Sequence, residues 1–526
     1  MTVCNHSRWQ ALHNYHPLPS SAERKAWLAS GDTDHHCLPW SYAVSTGTRQ
    51  KNIGMKRFAI MLMVVGLCSV GALAGAQPGN PQDMQVIQAN KALAGATAEL
   101  SVAEANVAQN PINTQLQHAL AVALDKMGDL CDLQGKQVAG NYPYDAGYNR
   151  ALDLARNDLK MNPQSRLMGT VERIRITVRR DDEARLWAFR DAARRYYRAA
   201  RAIHQRLVVL EPDNDEWQRA LALNYGKAAP GHVGVEESLA HYQPALDIHL
   251  RLAKRNPANT DWQRDLATVY GKIGDAVGTL QDKVPAAYHE ELAIRTKLFR
   301  KDETNTLWTR ELAMTFDRIG KTLDSLGKLP LARDAYTDGQ GLHEYLSRLA
   351  PANTQWQSDL ATVYLDIADL ENRRQARFQG AALAYYQNAL KIRTTLVELD
   401  PTNIQWQVNL VEIHHKIANF YGDSGEHAQE LVVNRAAQQQ MARFAQQYPK
   451  DRGWLFYQLE FYFLIGSEYL RVQQETQPHT GGGSIPDPER FEVARLAAKT
   501  TFKEMVEIID VLARQDDASR KLQVSP

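Results

Sequence analysis

The sequence predicts an all-α fold, a right-handed α-solenoid of stacked antiparallel helical hairpins. Three observations predict it. Six tryptophans recur at intervals of 45 to 50 residues, the apolar residues after them keep the helical period, and only 31 glycines and 21 prolines occur among 526 residues. A recurring period of this length is typical of stacked supersecondary units, and the scarcity of turn residues disfavours β architectures.

Composition excludes several other classes of protein. Apolar residues make up 44% of the chain and charged residues 23%, which is the balance of a folded protein. The formal net charge is +1, so the chain as a whole has no field that favours a nucleic-acid partner. Four cysteines are too few for a disulfide scaffold of this size.

Residues 55–76 have the pattern of a secretory signal peptide. Two basic residues precede a short apolar run, and small residues form a cleavage site before Gln77. We therefore expect translation to begin at Met55, which makes residues 1–54 a gene-model extension or a disordered segment. The mature chain is expected to be exported, to the periplasm or outside the cell if the source is bacterial, with no transmembrane segment after cleavage.

The repeat tryptophans open a series of similar phrases. Between Trp262 and Ile273 the apolar residues fall four, five, eight and eleven positions after the tryptophan, which is one helix face. Pro257 and Asn259 precede this helix and mark its start. The fixed spacing favours a structural role, packing against the preceding helix, over an exposed aromatic ladder for a ligand. These structural residues are Trp217, Trp262, Trp308, Trp356, Trp406 and Trp454.

A second helix follows each first helix. In five units a tyrosine stands 15 residues before a closing proline, as Tyr386 does before Pro401, whereas the segment between the two helices varies in length. Stacked hairpins require this combination, because neighbouring helices must match in length while the loops are free. Two earlier units around Leu116 and Leu167 carry leucine in place of tryptophan, the second in degenerate form, so we predict eight hairpins.

The predicted domain boundaries follow from this register. A leading helix or cap occupies residues 77–110, and the repeats occupy residues 111–475. A polar, glycine-containing linker follows at 476–487, a terminal helix at 488–515 closes the last hairpin, and residues 516–526 are predicted to be a disordered tail.

The repeat resembles the tetratricopeptide repeat family over roughly residues 84–515. The shared motifs are Leu-Ala-x-x-Tyr in the first helix, Gly-Asp after it, Tyr-x-x-Ala-Leu in the second helix and the closing Pro-x-Asn. The chain departs from the family in its longer period, since the family period is about 34 residues, and in its tryptophan, which stands one residue further from the leucine. The resemblance implies a non-catalytic scaffold whose first helices line a concave groove for a protein or peptide segment.

Basic residues recur two and ten positions after the first three tryptophans, and stacking would align them along the groove. The resemblance implies that such first-helix side chains bind the partner, sometimes through its terminal carboxylate. The alternative is pairing with nearby acids such as Asp265 and Glu311. The candidate peptide-binding residues are Arg219, Lys227, Arg264, Lys272, Arg310 and Arg318.

A second charge feature lies at residues 171–206, which hold eleven arginines against five acidic residues and are interleaved with four aromatic residues. This segment predicts an alternative function, the binding of an anionic polymer or of an envelope surface. A solvated helix face is the structural alternative, and Tyr197 already has a place in the core by the repeat register.

Catalytic motifs are missing from the sequence. The glycine run at 481–483 has no lysine after it, no zinc-type pairing of cysteines or histidines occurs, and His414 takes the place of a core tyrosine. We therefore expect no cofactor, no metal and no enzyme activity. An enzyme with an unrecognised site is the second alternative.

Overall fold

The computed structural model describes residues 81–140, 166–227, 235–278, 284–374, 379–447, 452–475 and 488–524. Within these ranges the chain forms fifteen α-helices and no strand. The predicted extension at 1–54, the signal peptide at 55–76 and the linker at 476–487 lie outside the described residues.

The helices follow one another without any other type of element between them in the described ranges. The first eight are α1 (Pro81–Gln109), α2 (Thr114–Gly140), α3 (Arg166–Leu210), α4 (Asp215–Lys227), α5 (Val235–Arg255), α6 (Thr260–Val277), α7 (Ala286–Lys301) and α8 (Thr306–Ser325). The other seven are α9 (Leu329–Leu349), α10 (Thr354–Arg374), α11 (Gln379–Leu399), α12 (Ile404–Asp423), α13 (His427–Gln447), α14 (Arg452–Glu475) and α15 (Pro488–Val524).

Consecutive helices pack in pairs as hairpins. Each even-numbered helix from α2 to α14 contacts the odd-numbered helix that follows it, and each of these second helices up to α13 contacts the first helix of the next hairpin. α1 packs against α2 at the start of the array. Each hairpin thus buries its faces against its neighbours, which is the arrangement of a solenoid. The predicted all-α solenoid of stacked helical hairpins is confirmed.

The predicted separate hairpin around Leu167 is wrong. Residues 166–210 form one continuous helix, α3, which packs against α2 as the second helix of the first hairpin. Tyr197 of α3 lies against Gly128 of α2, the same contact that joins the two helices of later hairpins. No proline interrupts residues 166–210, so nothing ends the helix between the two predicted elements. The described array therefore has seven hairpins rather than eight.

Each first helix from α2 to α12 has an asparagine three residues before its repeat tryptophan or leucine. In five hairpins the asparagine Oδ1 accepts the tryptophan backbone N–H at 3.1 to 3.3 Å, and Asn113 does the same for Leu116 at 3.0 Å. This bond caps the helix, whose first N–H groups have no partner inside it. The residue after the tryptophan is usually glutamine, and Gln357 Nε2 donates back to the Pro351 carbonyl at 3.2 Å.

A glycine and a tyrosine hold the two helices of a hairpin close together. A Cβ added at Gly274 of α6 would lie 2.4 Å from the Cε1 of Tyr288 in α7, and Gly320 of α8 has the same relation to Tyr336 of α9. The Tyr288 hydroxyl then donates to Asp275 Oδ1 at 2.6 Å. The glycine of the Gly-Asp motif therefore gives room to the ring of the second-helix tyrosine, which we name the seated tyrosine, and the aspartate accepts a bond from its hydroxyl. The close approach of the ring explains why glycine stands there.

The repeat tryptophans all lie in the first turn of a first helix. Trp217 and Trp454 are fully buried, and the other four are half-buried. Trp454 packs against Phe444 of α13 and Tyr457 of its own helix, with ring centroids 4.8 and 5.8 Å away. Trp454 thus contacts the preceding second helix, the packing that the sequence predicts for the indoles.

The last helix, α15, is longer than predicted. It runs from Pro488 to Val524 and continues through most of the 516–526 segment that the sequence predicts to be disordered. No glycine or proline follows Pro488 within the helix, so nothing stops it at residue 515. α15 contacts α14 and also α3, so the last helix reaches the first hairpin. None of the described helices carries an apolar stretch long enough to cross a membrane.

Candidate functional site on the first helices

The first helices of neighbouring hairpins approach one another closely. α4 contacts both α2 and α6, and α8 contacts α10. The first helices therefore lie side by side and form one continuous surface, which we name the first-helix face. All six predicted basic residues lie on these helices, three of them two positions after a tryptophan and three of them ten positions after it.

The three arginines two positions after a tryptophan form ion pairs between hairpins, which we name the tryptophan-proximal ladder. Each pairs with an acid that stands three positions after the tryptophan of the next hairpin. The structure thus brings these predicted residues into one line but engages each of them with its neighbour. The closest N–O distances are those of Arg219–Asp265 (2.5 Å), Arg264–Glu311 (2.8 Å) and Arg310–Asp359 (2.6 Å).

These arginines combine partial exposure with good hydrogen bonding. The side chains of Arg264 and Arg310 are 26% and 27% exposed, so both reach the solvent of the groove. Each donates two N–H groups to its carboxylate, and the hydrogen bonds to Glu311 raise the pKa of Arg264. A ligand carboxylate that binds either guanidinium must displace or share a carboxylate of the protein.

The basic residues ten positions after the tryptophan or its leucine counterpart form a second line, the tryptophan-distal ladder. Here the partner is an acid on the preceding hairpin, thirteen positions after its own tryptophan or leucine. Lys416 Nζ lies 2.5 Å from Asp369 Oδ2 in this way. The other pairs of this kind are Lys227–Asp129 at 2.7 Å and Arg318–Asp275 at 4.0 Å.

Two of the predicted residues in this ladder also have other partners. Lys272 donates to the Gly226 carbonyl at 2.7 Å, and burial lowers its pKa. Arg318 contacts Glu291 of α7, a fully buried carboxylate that also accepts a bond from Arg295 at 2.9 Å. Each of these two cations is bonded to groups of the protein.

In one pair of the tryptophan-distal ladder the acidic and the basic residue exchange positions. Asp366 stands ten positions after its tryptophan and pairs at 3.2 Å with Lys321, which stands thirteen positions after the preceding one. Burial raises the pKa of Asp366 to about 6, with Asp317 and Asp369 adding to the rise and Lys321 opposing it. Because the pair survives when the charges change places, contact between hairpins explains the ladder better than a need for positive charge.

Buried histidine and arginine side chains recur on the second helices, eight positions before the closing proline or its counterpart. His204 and His343 bond to aspartates of the first helix in their own hairpins, Asp125 at 3.1 Å and Asp317 at 2.9 Å. Arg295 holds the same position in α7 and bonds to Glu291. These polar contacts stabilise each hairpin from within, since a buried donor requires a partner.

His249 is the exception among these buried side chains. The ring is fully buried, and neither nitrogen has a hydrogen-bond partner among the described residues. In its hairpin Gly226 takes the position that Asp125 and Asp317 hold elsewhere. Burial lowers the pKa of His249 to about 4, so the ring is neutral at neutral pH.

The sequence identifies the bases of both ladders but not their partners. Asp265 and Glu311, which the sequence offers as partners within one helix, pair with the preceding hairpin instead. A signal for this exists, because an acid stands three positions after the tryptophan at Asp265, Glu311 and Asp359, including the hairpin where Ser358 replaces the base. Pairing across more than 40 residues follows only from the way in which hairpins stack.

The arginine-rich segment lies in α3. Tyr196 and Tyr197 are buried within the first hairpin, and Arg201 donates to Asn224 of α4 at 3.0 Å, so these residues stabilise the first hairpin and its contact with the second. Trp187 is 51% exposed, and the Arg194 guanidinium lies 5.8 Å from the centroid of its ring. An exposed face with arginine and tryptophan therefore remains beside the structural residues.

One group of side chains has the composition of a metal site. His427, Glu430 and Glu468 place their ligand atoms within 4.8 Å of one another, the one such group among the described residues. The Arg471 guanidinium pairs with Glu468, and its Nη1 lies 2.6 Å from His427 Nε2. The arginine already supplies a cation that balances these carboxylates.

Cys131 is a buried thiol in α2. It is 1% exposed, and burial raises its pKa to about 12. Because the thiolate is the reactive form, the side chain packs as an apolar residue and is not a nucleophile at neutral pH.

The repeat motifs and the stacked helical hairpins make the fold tetratricopeptide-like. Among solved structures, a tetratricopeptide repeat protein of Parabacteroides merdae is 13% identical, with 66% of this chain and 98% of that one covered and a TM-score of 0.26. The thermophilic tetratricopeptide protein TTC0263 of Thermus thermophilus is 16% identical, with 46% and 98% covered and a TM-score of 0.27.

BtubC of P. vanneervenii is also 16% identical to this tetratricopeptide-like chain, with 52% of this chain and 92% of that one covered and a TM-score of 0.34. No family model matches the chain, and no curated protein does so. At these identities and TM-scores the comparisons carry no information on a ligand, a partner or an activity.

Proposed function

We propose that the chain is an exported scaffold that holds an extended protein or peptide segment along its first helices and has no catalytic role. One observation carries the proposal, the continuity of the first-helix face. From α4 to α12 the same positions after each tryptophan recur side by side and carry polar, half-exposed side chains in most hairpins. A continuous face of this kind binds a long segment without a closed pocket.

The ladders determine which partner suits this face. Because each of the six basic residues is bonded to a carboxylate or a carbonyl of the protein, a purely acidic ligand gains little from the face. A segment that carries both donors and acceptors can bond to the arginine and to its carboxylate partner together. We therefore expect a polar segment of mixed charge rather than a polyanion.

The proposal is tested with residues 77–526 as bait in a pull-down from the source organism. Arg264→Glu places two carboxylates together and is expected to reduce partner recovery. The exchanged pair Arg310→Asp with Asp359→Arg keeps an ion pair between hairpins while reversing its direction, and we expect it to reduce recovery as well. Circular dichroism establishes that each variant is folded.

Arg300→Glu is the matched control, because Arg300 is exposed on α7, a second helix away from the first-helix face. Recovery with this variant is expected to equal that of the wild type. Unchanged recovery with both first-helix variants would remove the groove proposal, and an equal loss in the control would assign the effect to charge alone.

Export is a separate part of the proposal and rests on the pattern of residues 55–76. A reporter that is active only outside the cytoplasm, fused after Ala76, is expected to gain activity. Mass spectrometry of the processed protein is expected to find Gln77 at its N-terminus. A cytoplasmic reporter, or a chain that retains residues 55–76, would contradict export.

A second candidate function rests on the exposed part of α3. The Arg194–Trp187 stack and the exposed side chains of Arg198 and Arg206 support binding of an anionic polymer. Binding to heparin that weakens steeply with salt, and that is lost in Arg198→Glu with Arg206→Glu, would support it. Salt-insensitive retention would exclude it.

A further inference from the structure

A tyrosine of the hairpin α10/α11 provides an internal template for a binding site elsewhere in the chain. Tyr385 of α11 lies with its ring centroid 5.7 Å from that of Tyr364 in α10. Its hydroxyl accepts a bond from Arg333 Nη2 at 3.2 Å and donates to Gln340 Oε1 at 3.3 Å, both on the preceding second helix, α9. The tyrosine thus fills the space between α9 and α11.

The last hairpin, α14/α15, repeats this arrangement without the tyrosine. The buried residues of α15 follow the spacing of those in α11, with Ala494, Thr501 and Ile508 in the places of Ala382, Ala389 and Leu396. This register places Ala497 where α11 has Tyr385. An alanine leaves most of the volume of a tyrosine ring unoccupied.

The residues that surround Tyr385 have counterparts around Ala497. Tyr462 stands eight positions after Trp454, as Tyr364 does after its own tryptophan. Gln438 stands eleven positions before the proline that closes α13, as Gln340 does in α9. Both line a groove with a volume of about 390 Å³ between α13, α14 and α15, together with Ala497 and Arg435.

The polar atoms of this groove are arranged for a phenol. Gln438 Nε2 donates to the Tyr462 hydroxyl at 3.0 Å, and its Oε1 is the acceptor that Gln340 supplies to Tyr385. Arg435 also lines the groove, one helical turn further along α13 than Arg333 is along α9, and its guanidinium donates to the Tyr469 hydroxyl.

The rim of the groove is apolar. Val493 and Leu496 of α15 line it and are each 63% exposed. They offer contact to the residues on either side of an inserted ring.

We propose that this groove, which we name the tyrosine socket (Arg435, Gln438, Tyr462, Val493, Leu496 and Ala497), binds a tyrosine side chain of a partner protein. The inserted ring takes the place of Tyr385, stacks on Tyr462 and donates its hydroxyl to Gln438. The socket lies between second helices and is separate from the first-helix face, so it adds an anchor that the proposed function does not include.

The test uses N-acetyltyrosinamide as the probe and the chain 77–526 as the protein, with saturation-transfer NMR and calorimetry as readouts. One molecule is expected to bind per chain. N-acetylphenylalaninamide is expected to bind about fivefold more weakly, because it lacks the hydrogen bond to Gln438. N-acetylalaninamide is expected to give no signal. Equal binding of all three, or of none, would overturn the proposal.

Two reciprocal variants locate the site. Ala497→Tyr fills the socket from within and is expected to abolish binding. Tyr385→Ala empties the template position and is expected to raise the stoichiometry from one to two. Binding that survives Ala497→Tyr in a folded protein would overturn the proposal.

A third variant remains informative even if Ala497→Tyr fails to fold. Gln438→Leu keeps the size of the side chain and is expected to remove the preference for tyrosine over phenylalanine. A preference that persists in Gln438→Leu would contradict the socket. Arg300→Glu, which is exposed on α7 and lies outside both the first-helix face and the socket, serves as the control and is expected to bind the probe normally.

Discussion

The middle hairpins (α4 to α11) and the C-terminal hairpins (α12 to α15) share one backbone arrangement but hold it with different side chains. In α7 the positions twelve and eight residues before the hairpin closes carry Glu291 and Arg295, a buried ion pair. In α13 the same positions carry Ala437 and Met441, both fully buried. The tryptophan-proximal ladder loses its base earlier, at Ser358 in α10, and an apolar residue, Val408, takes the position in α12.

The comparison teaches that stacking of hairpins does not depend on one chemistry. A buried ion pair specifies which side chains face each other, because an unpaired charge in the interior is costly. Apolar contacts stabilise the same surface, but they do not penalise alternative pairings of the helices, because no buried charge is left unpaired. The second-helix tyrosine is also lost in α13, where Asn434 takes its place. Four predictions test this contrast.

The largest effect is expected when the buried charge of a middle hairpin loses one of its two carboxylates. Glu291→Ala leaves the buried Arg295 with Glu311 alone, whose Oε2 lies 2.6 Å from Arg295 Nη1, and is expected to lower the free energy of unfolding by about 3 kcal/mol. The double variant Glu291→Ala with Arg295→Met copies α13 and is expected to recover most of this loss. Guanidinium unfolding followed by circular dichroism measures both. An equal loss of unfolding free energy in the two variants would show that apolar residues like those of α13 cannot replace the ion pair in α7.

The seated tyrosine is expected to give the next largest effect. Gly320→Ala drives a Cβ into the Tyr336 ring and is expected to cost about 1–3 kcal/mol of stability. Gly341→Ala is the matched control, because Gly341 is exposed in α9 with no atom within 4 Å of an added Cβ. It is expected to stabilise by up to about 1 kcal/mol, since alanine favours the helix. Thermal unfolding of both variants checks the contrast, which fails if the two substitutions act alike.

His249 is expected to make one middle hairpin sensitive to acid. The folded state holds the ring neutral with a pKa of about 4, whereas the unfolded chain protonates it near 6.5, so the unfolded state binds more protons between these values. Its contribution is present above pH 6.5 and is lost as the pH falls towards 4, at about 1.4 kcal/mol per pH unit.

The measurement for His249 is the unfolding free energy at about pH 5 and about pH 7 in wild type and His249→Leu. The variant is expected to lose less stability on acidification than the wild type. Identical pH dependence in the two proteins would mean that the buried ring is accommodated when charged.

The smallest effect is expected in the tryptophan-proximal ladder. A double-mutant cycle on Arg310→Ala and Asp359→Ala is expected to give a coupling of about 0.5–1 kcal/mol, because the pair is partly exposed. The coupling is expected to fall when salt is added. A coupling of several kcal/mol, insensitive to salt, would place this ladder in the same class as the buried pair of α7.

The sequence predicts the repeated part of this fold well, because a period is a local property. Trp262, Asn259 and Gly274 each stand at a fixed distance from the helix face that they cap or pack, and their helix begins and packs as expected. The continuous helix α3 was not predictable in this way. The repeat register assigns its two halves to a first helix and a second helix, and the segment contains no proline that would show whether the chain turns between them.

The candidate site was predictable only in part. The basic residues of the two ladders stand out by their period, but Arg310 and Asp359 are 49 residues apart, and only the stacked hairpins show that they meet. The sequence alone does not predict the tyrosine socket. Ala497 is recognised as the counterpart of Tyr385 only after α15 is aligned with α11.

The contact between α15 and α3 changes the mechanics of the whole array. A coil of hairpins with two loose ends stretches as a spring, and each joint yields a little on its own. When the last helix contacts the first hairpin, the coil cannot lengthen until that contact breaks. A strain applied at one interface between hairpins is then distributed over the others. Widening the coil to admit a bulky guest is therefore expected to require release of the contact between α15 and α3.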